Sequence, residues 1–110
     1  MKIIDNSSQV QHILFTPKFS AICSIGDRPF YGNVQIDYEP TEVILELVSV
    51  ERFIGNFAMK RVTIEDVARL VFDELCRVLG DIPIRVIVSA WTTVHAPTKA
   101  SIKQGEFRYD

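Results

Sequence analysis

A cysteine and a nearby aspartate are the first candidates for covalent or acid–base chemistry. Cys23 falls at the end of a predicted strand, and Asp27 lies in the turn that follows, beside Arg28. A cysteine attacks as its thiolate, which a neighbouring cation favours. Free cysteine is also a common small core residue, so spacing alone leaves both interpretations of Cys23 open. Cys76 lies on the apolar face of a predicted helix and is expected to be a core thiol, and we expect no disulfide between the two cysteines.

Two glutamates are candidates for holding a ligand. Glu65 lies in the first turn of a predicted helix, a rigid place from which its carboxylate could bind a molecule. The same position also suits plain helix stabilisation, through the macrodipole and an i,i+4 pair with Arg69. Glu46 interrupts an apolar run over 44–48, and alternation toward solvent explains it equally well. Asp73 and Arg77 predict a second surface pair of the i,i+4 type.

Metal chemistry is not predicted. The chain has two histidines and two cysteines, without the three or four ligands at recognisable spacing that a zinc site needs. His95, in a turn after a strand, is still a candidate acid, base or ligand. No glycine-rich phosphate loop and no nucleophile-elbow motif occurs.

A small α+β domain is predicted to position these residues. Period-two or apolar segments predict strands over 12–16, 19–23, 33–38, 84–91 and 100–103. Thr63 is a good N-cap and Gly80 a good terminator, so 64–79 is predicted as a helix. A shorter helix is predicted over 51–57, while 42–50 could be a strand or a helix start. The order of two strands, one or two helices and two more strands favours an α+β fold, with a four-stranded antiparallel sheet and two helices on one face.

Composition limits the class of protein. The 110 residues are 47% hydrophobic and 24% charged, with five Gly and five Pro, which excludes a disordered or collagen-like chain. We expect a single domain over 1–110, with 1–10 as a loose N-terminal lead-in. No apolar run is long enough for a membrane span and no signal peptide is visible, so a cytoplasmic protein is predicted. The net charge is −2 and the basic residues are scattered, which does not favour a nucleic-acid binder, although an oligomer could assemble a basic stripe.

Self-association is predicted from the strand at 84–91. Its first face carries Ile84 and further apolar residues, and its second face still carries Ile87 and Trp91. Two helices can cover only one face of so small a sheet, and an open sheet leaves two unpaired edges. We therefore expect a closed homo-oligomer in which sheets join edge to edge.

Taken in order, the residues resemble a known family. The segments Phe19–Cys23 and Ile36–Pro40, with Pro29 between them, resemble the front half of the 7-cyano-7-deazaguanine (nitrile) reductase family. Glu46 matches the Glu of that family's Glu-Ser-Lys motif, and Glu65 matches the glutamate that grips the substrate. The resemblance spans about residues 19–79, with Cys23, the Asp-Tyr-x-Pro tetrad and Glu65 in register.

The resemblance implies a fold and an activity. The fold would be the tunnelling fold, in which subunit sheets join into a barrel with active sites between subunits. Cys23 would form a thioimide with 7-cyano-7-deazaguanine, Glu65 and Glu46 would bind this purine-like substrate, and NADPH would supply hydride in queuosine biosynthesis. A related group amidinates the same nitrile with ammonia to form archaeosine in tRNA.

The chain departs from the family pattern at several positions. Phe30 stands where the family keeps a catalytic acid, which leaves Asp27 as the candidate acid, and Ile64 replaces a histidine. The run 46–51 lacks both lysines that would anchor the NADPH phosphates. Three functions therefore stay open: an NADPH-dependent reductase, an amidinotransferase, and a non-catalytic oligomeric relative that binds a purine or pterin. The net charge does not support tRNA as the substrate.

Overall fold

The computed structural model describes residues 1–91 and 96–109; His95 therefore lies outside the described residues. The elements in chain order are β1 (Ile3–Asp5), β2 (Ile13–Phe15), β3 (Lys18–Cys23), β4 (Pro29–Tyr38), β5 (Val43–Leu45), α1 (Leu47–Gly55), β6 (Arg61–Val62), α2 (Ile64–Leu79), β7 (Ile84–Trp91) and β8 (Thr98–Gln104). The predicted α+β class with two helices is confirmed. No helix in the described ranges combines the length and the hydropathy needed to cross a membrane.

The main sheet is built around β4. Its strand order is β6-β3-β4-β7-β8, and β2 pairs with the part of β4 that β3 does not reach. The four-stranded antiparallel sheet expected from the sequence is present as β3-β4-β7-β8. Two short strands extend it: β2 is antiparallel to β4, and β6 is parallel to β3. The sheet is thus six-stranded and mixed: β2 corresponds to the strand predicted over 12–16, whereas β6 was not predicted.

A separate two-stranded sheet joins the N-terminal segment to the middle of the chain. β1 pairs antiparallel with β5, with Ile4 opposite Ile44. Residues 3–5 are therefore a strand, where the sequence predicted a loose lead-in. Three residues carry too little pattern to predict this strand, which exists because β5 offers it a pairing edge.

The two helices begin where side-chain caps satisfy their first amides. Thr63 Oγ1 accepts from the Asp66 amide at 3.1 Å and Asp66 accepts from the Thr63 amide at 3.0 Å, which completes a capping box for α2. Gly80, at a φ of 81°, follows the last residue of this helix. The open alternative at 42–50 resolves into both elements: strand β5 ends at Leu45 and α1 starts at Leu47, after the cap residue Glu46. The helix predicted over 51–57 therefore begins four residues earlier and ends at Gly55.

The core lies between the helices and one face of the sheet. Alternate residues of β7 are buried, from Ile84 to Ala90, and so are their neighbours on β4, from Phe30 to Tyr38. α2 packs on β7 and β8, and α1 packs on β3. The buried residues of α2 recur at three- and four-residue spacing, which gives the helix one apolar stripe toward the sheet. Among residues 1–91 and 96–109, no helix lies on the other face of the sheet.

Candidate active site

One pocket lies where the ends of β3 and β7 meet the N-terminus of α2. Its volume is about 190 Å³. Its lining residues are mostly apolar: Cys23, Ile25, Phe30, Thr63, Ile64, Glu65, Ala90, Trp91, Ala96 and Thr98. The structure thus brings two of the four predicted site residues, Cys23 and Glu65, to one cavity.

The strand β6 explains why these two residues meet. Cys23 is the last residue of β3, and Val62 is its partner in the parallel pairing with β6. Thr63 follows Val62 directly and caps α2. The pairing of β6 with β3 therefore places Glu65, in the first turn of the helix, near Cys23. The Ser24 amide also donates to the Val62 carbonyl at 3.3 Å, which extends the connection past the end of β3.

The turn after Cys23 holds Asp27 close to the strand but away from the pocket. The Cys23 amide donates to the Arg28 carbonyl at 2.8 Å, and the Asp27 amide donates to the Cys23 carbonyl at 2.9 Å. Asp27 has a φ of 55°, and its largely exposed carboxylate pairs with Arg61. Its side chain is therefore directed at Arg61 and does not line the cavity.

The ion pairs of α2 differ from those predicted. Arg69 donates to Asp73 at 3.2 Å, where the sequence predicted a pair with Glu65. Arg77 donates to Glu74 at 2.7 Å, where a pair with Asp73 was predicted. Arg69 has one acidic residue four positions before it, Glu65, and another four positions after it, Asp73. It pairs with Asp73. Within the described ranges Glu65 makes no ion pair, so its exposed carboxylate is available at the pocket.

Glu46 has a structural position in this chain. It is the N-cap of α1: its Oε2 accepts from the Ser49 amide at 2.7 Å, while its carbonyl accepts from the Ser49 hydroxyl at 2.7 Å. Its own amide donates to the Lys2 carbonyl at 2.9 Å, which ties α1 to β1. Glu46 does not line the pocket with Cys23 and Glu65.

The two strongest departures from the family pattern lie in the pocket wall. Phe30 is buried and meets Phe19 edge to face, with ring centroids 5.7 Å apart, and Ile64 stands at the start of α2. The sequence singled out both positions, but it did not indicate that Ile25 and Trp91 also line the cavity. Their only sequence signal is a large apolar side chain near a strand end.

The Asp-Tyr-x-Pro tetrad is a buried structural junction. Asp37 is 3% exposed and accepts from Arg85 Nη2 at 2.5 Å, and it also contacts His12. The Tyr38 hydroxyl accepts from the Leu45 amide at 3.0 Å, and burial raises the pKa of this phenol. Glu39, also buried, accepts from the amide of Arg108 at 2.7 Å. The tetrad therefore joins β4 to β2, β5, β7 and the C-terminal segment.

The second cysteine is a poor candidate for chemistry. Both cysteines are free thiols. Burial, followed by the nearby Asp73 carboxylate, raises the pKa of Cys76, and its Sγ donates to Gln104 Oε1 at 3.4 Å. Cys76 points from α2 toward β8, far along the helix from Glu65.

The residues at the pocket suit a small uncharged ring better than a metal or a dinucleotide. Within residues 1–91 and 96–109, no three His, Cys, Asp or Glu side chains are grouped to hold a metal ion. The described lining residues include neither Lys nor Arg, and the first turn of α1 presents Leu47 and Val48. These residues of one chain do not fit the phosphates of NADPH, which prefer cationic partners.

No family model matches the chain, but curated proteins and solved structures do. It is 33% identical over 64 residues to an NADPH-dependent 7-cyano-7-deazaguanine reductase of Wolinella succinogenes, covering 58% of this chain and 52% of that protein. It is 30% identical over 77 residues to a reductase of the same name from Rhodopirellula baltica, covering 69% of this chain and 62% of that protein. The chain thus spans between half and two thirds of these relatives.

A solved structure shares the fold over nearly its full length. The apo form of the archaeosine synthase QueF-Like aligns with a TM-score of 0.81 at 11% identity. The alignment covers 89% of this chain and 97% of that chain.

Proposed function

Because the chain is a relative of the 7-cyano-7-deazaguanine reductases and has the tunnelling fold, we propose that it is an enzyme that processes the nitrile of a 7-deazaguanine base. The observation that carries this proposal is that Cys23 and Glu65 line one pocket. The two residues match the family's nucleophile and base-binding glutamate, and they come from elements far apart in sequence.

The proposed first step is covalent addition at Cys23. The thiolate sulfur bonds to the nitrile carbon, one π bond of the nitrile opens, and the nitrogen takes a proton to give a neutral thioimide. No group leaves, so the adduct carries the whole mass of the ligand. Covalent catalysis of this kind divides one difficult step into two easier ones.

Glu65 is proposed to hold the base. Its carboxylate would accept from the ring N–H and the exocyclic amino group on the pyrimidine edge of a guanine-like molecule. Two parallel charge-assisted hydrogen bonds select such an edge over one that lacks either donor. The absence of an ion pair to Glu65 among the described residues supports this role, because no cation has to be displaced.

The proton for the nitrile nitrogen is proposed to come from Asp27. It is the nearest carboxyl in the chain segment after Cys23, and the amide of Asp27 is bonded to the Cys23 carbonyl. The pair with Arg61 must open before this carboxyl can reach the pocket. Glu46 lies outside the pocket, so we propose that any contact it makes with substrate is in a neighbouring copy of the chain.

The second substrate is proposed to be a small nucleophile such as ammonia. The named relatives are NADPH-dependent reductases. The lining residues described here offer its phosphates no cation, which disfavours reduction by this chain. The non-catalytic alternative is favoured by one observation, the phenyl ring of Phe30 where an acid is expected.

A closed homo-oligomer is also proposed. The sheet ends in β8 on one side and in the two-residue β6 on the other, so both edges have backbone groups that a second copy could pair. Joining these edges would close the barrel that the fold family implies.

Product analysis tests the proposed function. The protein is incubated with 7-cyano-7-deazaguanine and either ammonium or NADPH, and the products are separated and weighed by mass spectrometry. We expect the amidine with ammonium, and we expect its loss in Cys23→Ser with normal folding. An aminomethyl product with NADPH would show a reductase, and no product under either condition would contradict enzymatic function.

A further inference from the structure

The face of the main sheet opposite the helices gathers side chains that the linear sequence scatters. Antiparallel register places Lys18, Asn33, Ser89 and Lys99 in one row across β3, β4, β7 and β8. Alternation puts all four on the side away from the buried residues of the same strands. We call the outward residues of these four strands the open face.

The open face is basic although the protein is acidic overall. Its described strand residues include four of the twelve basic side chains, Lys18, Arg85, Lys99 and Lys103. Asp37 is the only acidic residue among them, and it is buried against Arg85. Arg85 and Lys103 also lie over the ring of Phe107, at 5.1 and 5.5 Å from its centroid. The basic character of the open face therefore rests on Lys18 and Lys99. The net charge of −2 therefore conceals a positive surface, which is the feature that the linear sequence did not reveal.

An aromatic pair lies in the row next to the lysines. Tyr31 on β4 and Trp91 on β7 are direct partners, and their side chains are 53% and 48% exposed. They are two residues along the strands from Asn33 and Ser89, or roughly 7 Å. Lys18 and Lys99 are separated by three strand spacings, roughly 14 Å. The two exposed rings thus lie near the ends of the two central strands, with a lysine on each flanking strand one row away.

We propose that the open face binds single-stranded nucleic acid. Exposed aromatic rings on neighbouring central strands offer platforms on which successive bases stack, and lysines beside them contact phosphates. A duplex would present only its backbone to a sheet of this kind, so unpaired bases fit better. Packing this face against the same face of a second copy would bring lysines of the two copies together, which like-charge repulsion opposes.

This binding does not depend on the proposed enzyme activity. Tyr31, Lys18 and Lys99 do not line the pocket, whereas Trp91 ends β7 and borders both surfaces. Variants at the first three residues therefore test the face and leave the pocket intact. If the barrel forms, the open faces of successive subunits line its interior, and a short oligonucleotide is the appropriate probe.

The test measures fluorescence anisotropy of a labelled ten-nucleotide oligo(U) with the full chain, between 50 and 200 mM salt. We expect the double variant Lys18→Gln/Lys99→Gln to bind about tenfold more weakly at the low salt concentration. Its slope of log affinity against log salt should fall by about 1.4, because each phosphate contact on a single strand contributes about 0.7. The matched control, Lys2→Gln/Arg52→Gln, removes two exposed charges outside the open face and should bind as the parent does.

Stacking is tested separately. Trp91 is the only tryptophan, so base stacking beside it should quench the intrinsic fluorescence on binding. Tyr31→Leu should weaken binding between about fivefold and a hundredfold while leaving the salt slope unchanged. The proposal is overturned if oligo(U) does not bind at 50 mM salt, or if the control pair loses as much affinity as the lysine pair.

Discussion

Gly32 offers a sharp test of how the strands approach each other beneath the pocket. It is buried on β4, opposite Ala90 of β7. A Cβ atom there would lie well inside van der Waals contact of the Ser89 carbonyl oxygen. It would also lie 2.8 Å from Phe19 Cε1 and 2.9 Å from Ala90 Cα. Two of these three neighbours are backbone atoms of β7.

The loss of stability in Gly32→Ala depends on which neighbouring atoms must move to make room for the Cβ atom. Phe19 can tilt, but the Ser89 and Ala90 backbone can retreat only by loosening the β4–β7 ladder, which has eight paired positions. Overpacking in a core lowers the free energy of unfolding by about 1–3 kcal/mol. Because backbone atoms must move here, we expect a loss near the upper limit, about 3 kcal/mol. For a domain of this size that corresponds to a melting temperature lower by roughly 10–20 °C.

The assay is thermal and urea unfolding followed by circular dichroism, with Gly55→Ala as the matched control. Gly55 ends α1, and a Cβ there meets nothing within 4 Å. Its substitution should leave stability unchanged or raise it by up to about 1 kcal/mol, since alanine is the better helix residue. A Gly32→Ala variant within about 0.5 kcal/mol of the parent would refute the close approach described above.

Three further predictions concern single side chains. Limited alkylation followed by peptide mapping should label Cys23 before Cys76, whose pKa is raised by burial; the reverse order would remove Cys23 as the nucleophile. Glu65→Gln should weaken binding of a deazaguanine or guanine ligand about tenfold or more by calorimetry, since a charge-assisted hydrogen bond contributes about 1.5–3 kcal/mol, while unfolding changes little. The hydrogen bond from Arg77 lowers the pKa of Glu74 from 4.5 to about 2, so this carboxylate stabilises the fold fully above pH 4.5 and its contribution is lost as the pH falls toward 2. Urea midpoints between pH 6 and 3 should therefore fall less steeply in Glu74→Gln, and equal slopes would contradict this pairing.

Local patterns predicted the elements whose cause is local. Thr63 as the N-cap, the glycine after the helix and the apolar spacing predicted α2 from sequence. Alternation predicted β7 and residues 33–38 of β4, whereas β4 begins at Pro29. The strands β1 and β6 could not be predicted, because two or three residues hold no period and pair only when remote strands offer an edge.

The sequence predicted candidate residues for the site but not that they lie close together. Cys23 and Glu65 were identified individually and by the family resemblance, yet their proximity depends on the unpredicted parallel pairing of β6 with β3. The i,i+4 rule also failed to choose between the two acids that compete for Arg69. The basic open face was missed because its lysines come from strands far apart in sequence and meet only through register.

Intact-mass spectrometry of the covalent adduct tests the central claim most directly. The protein, Cys76→Ser and Cys23→Ser are each incubated with 7-cyano-7-deazaguanine without a second substrate and weighed under denaturing conditions. We predict a gain of one whole ligand mass in the parent and in Cys76→Ser, and no gain in Cys23→Ser. An adduct that persists in Cys23→Ser, or a parent that stays unmodified, would contradict thioimide formation at Cys23.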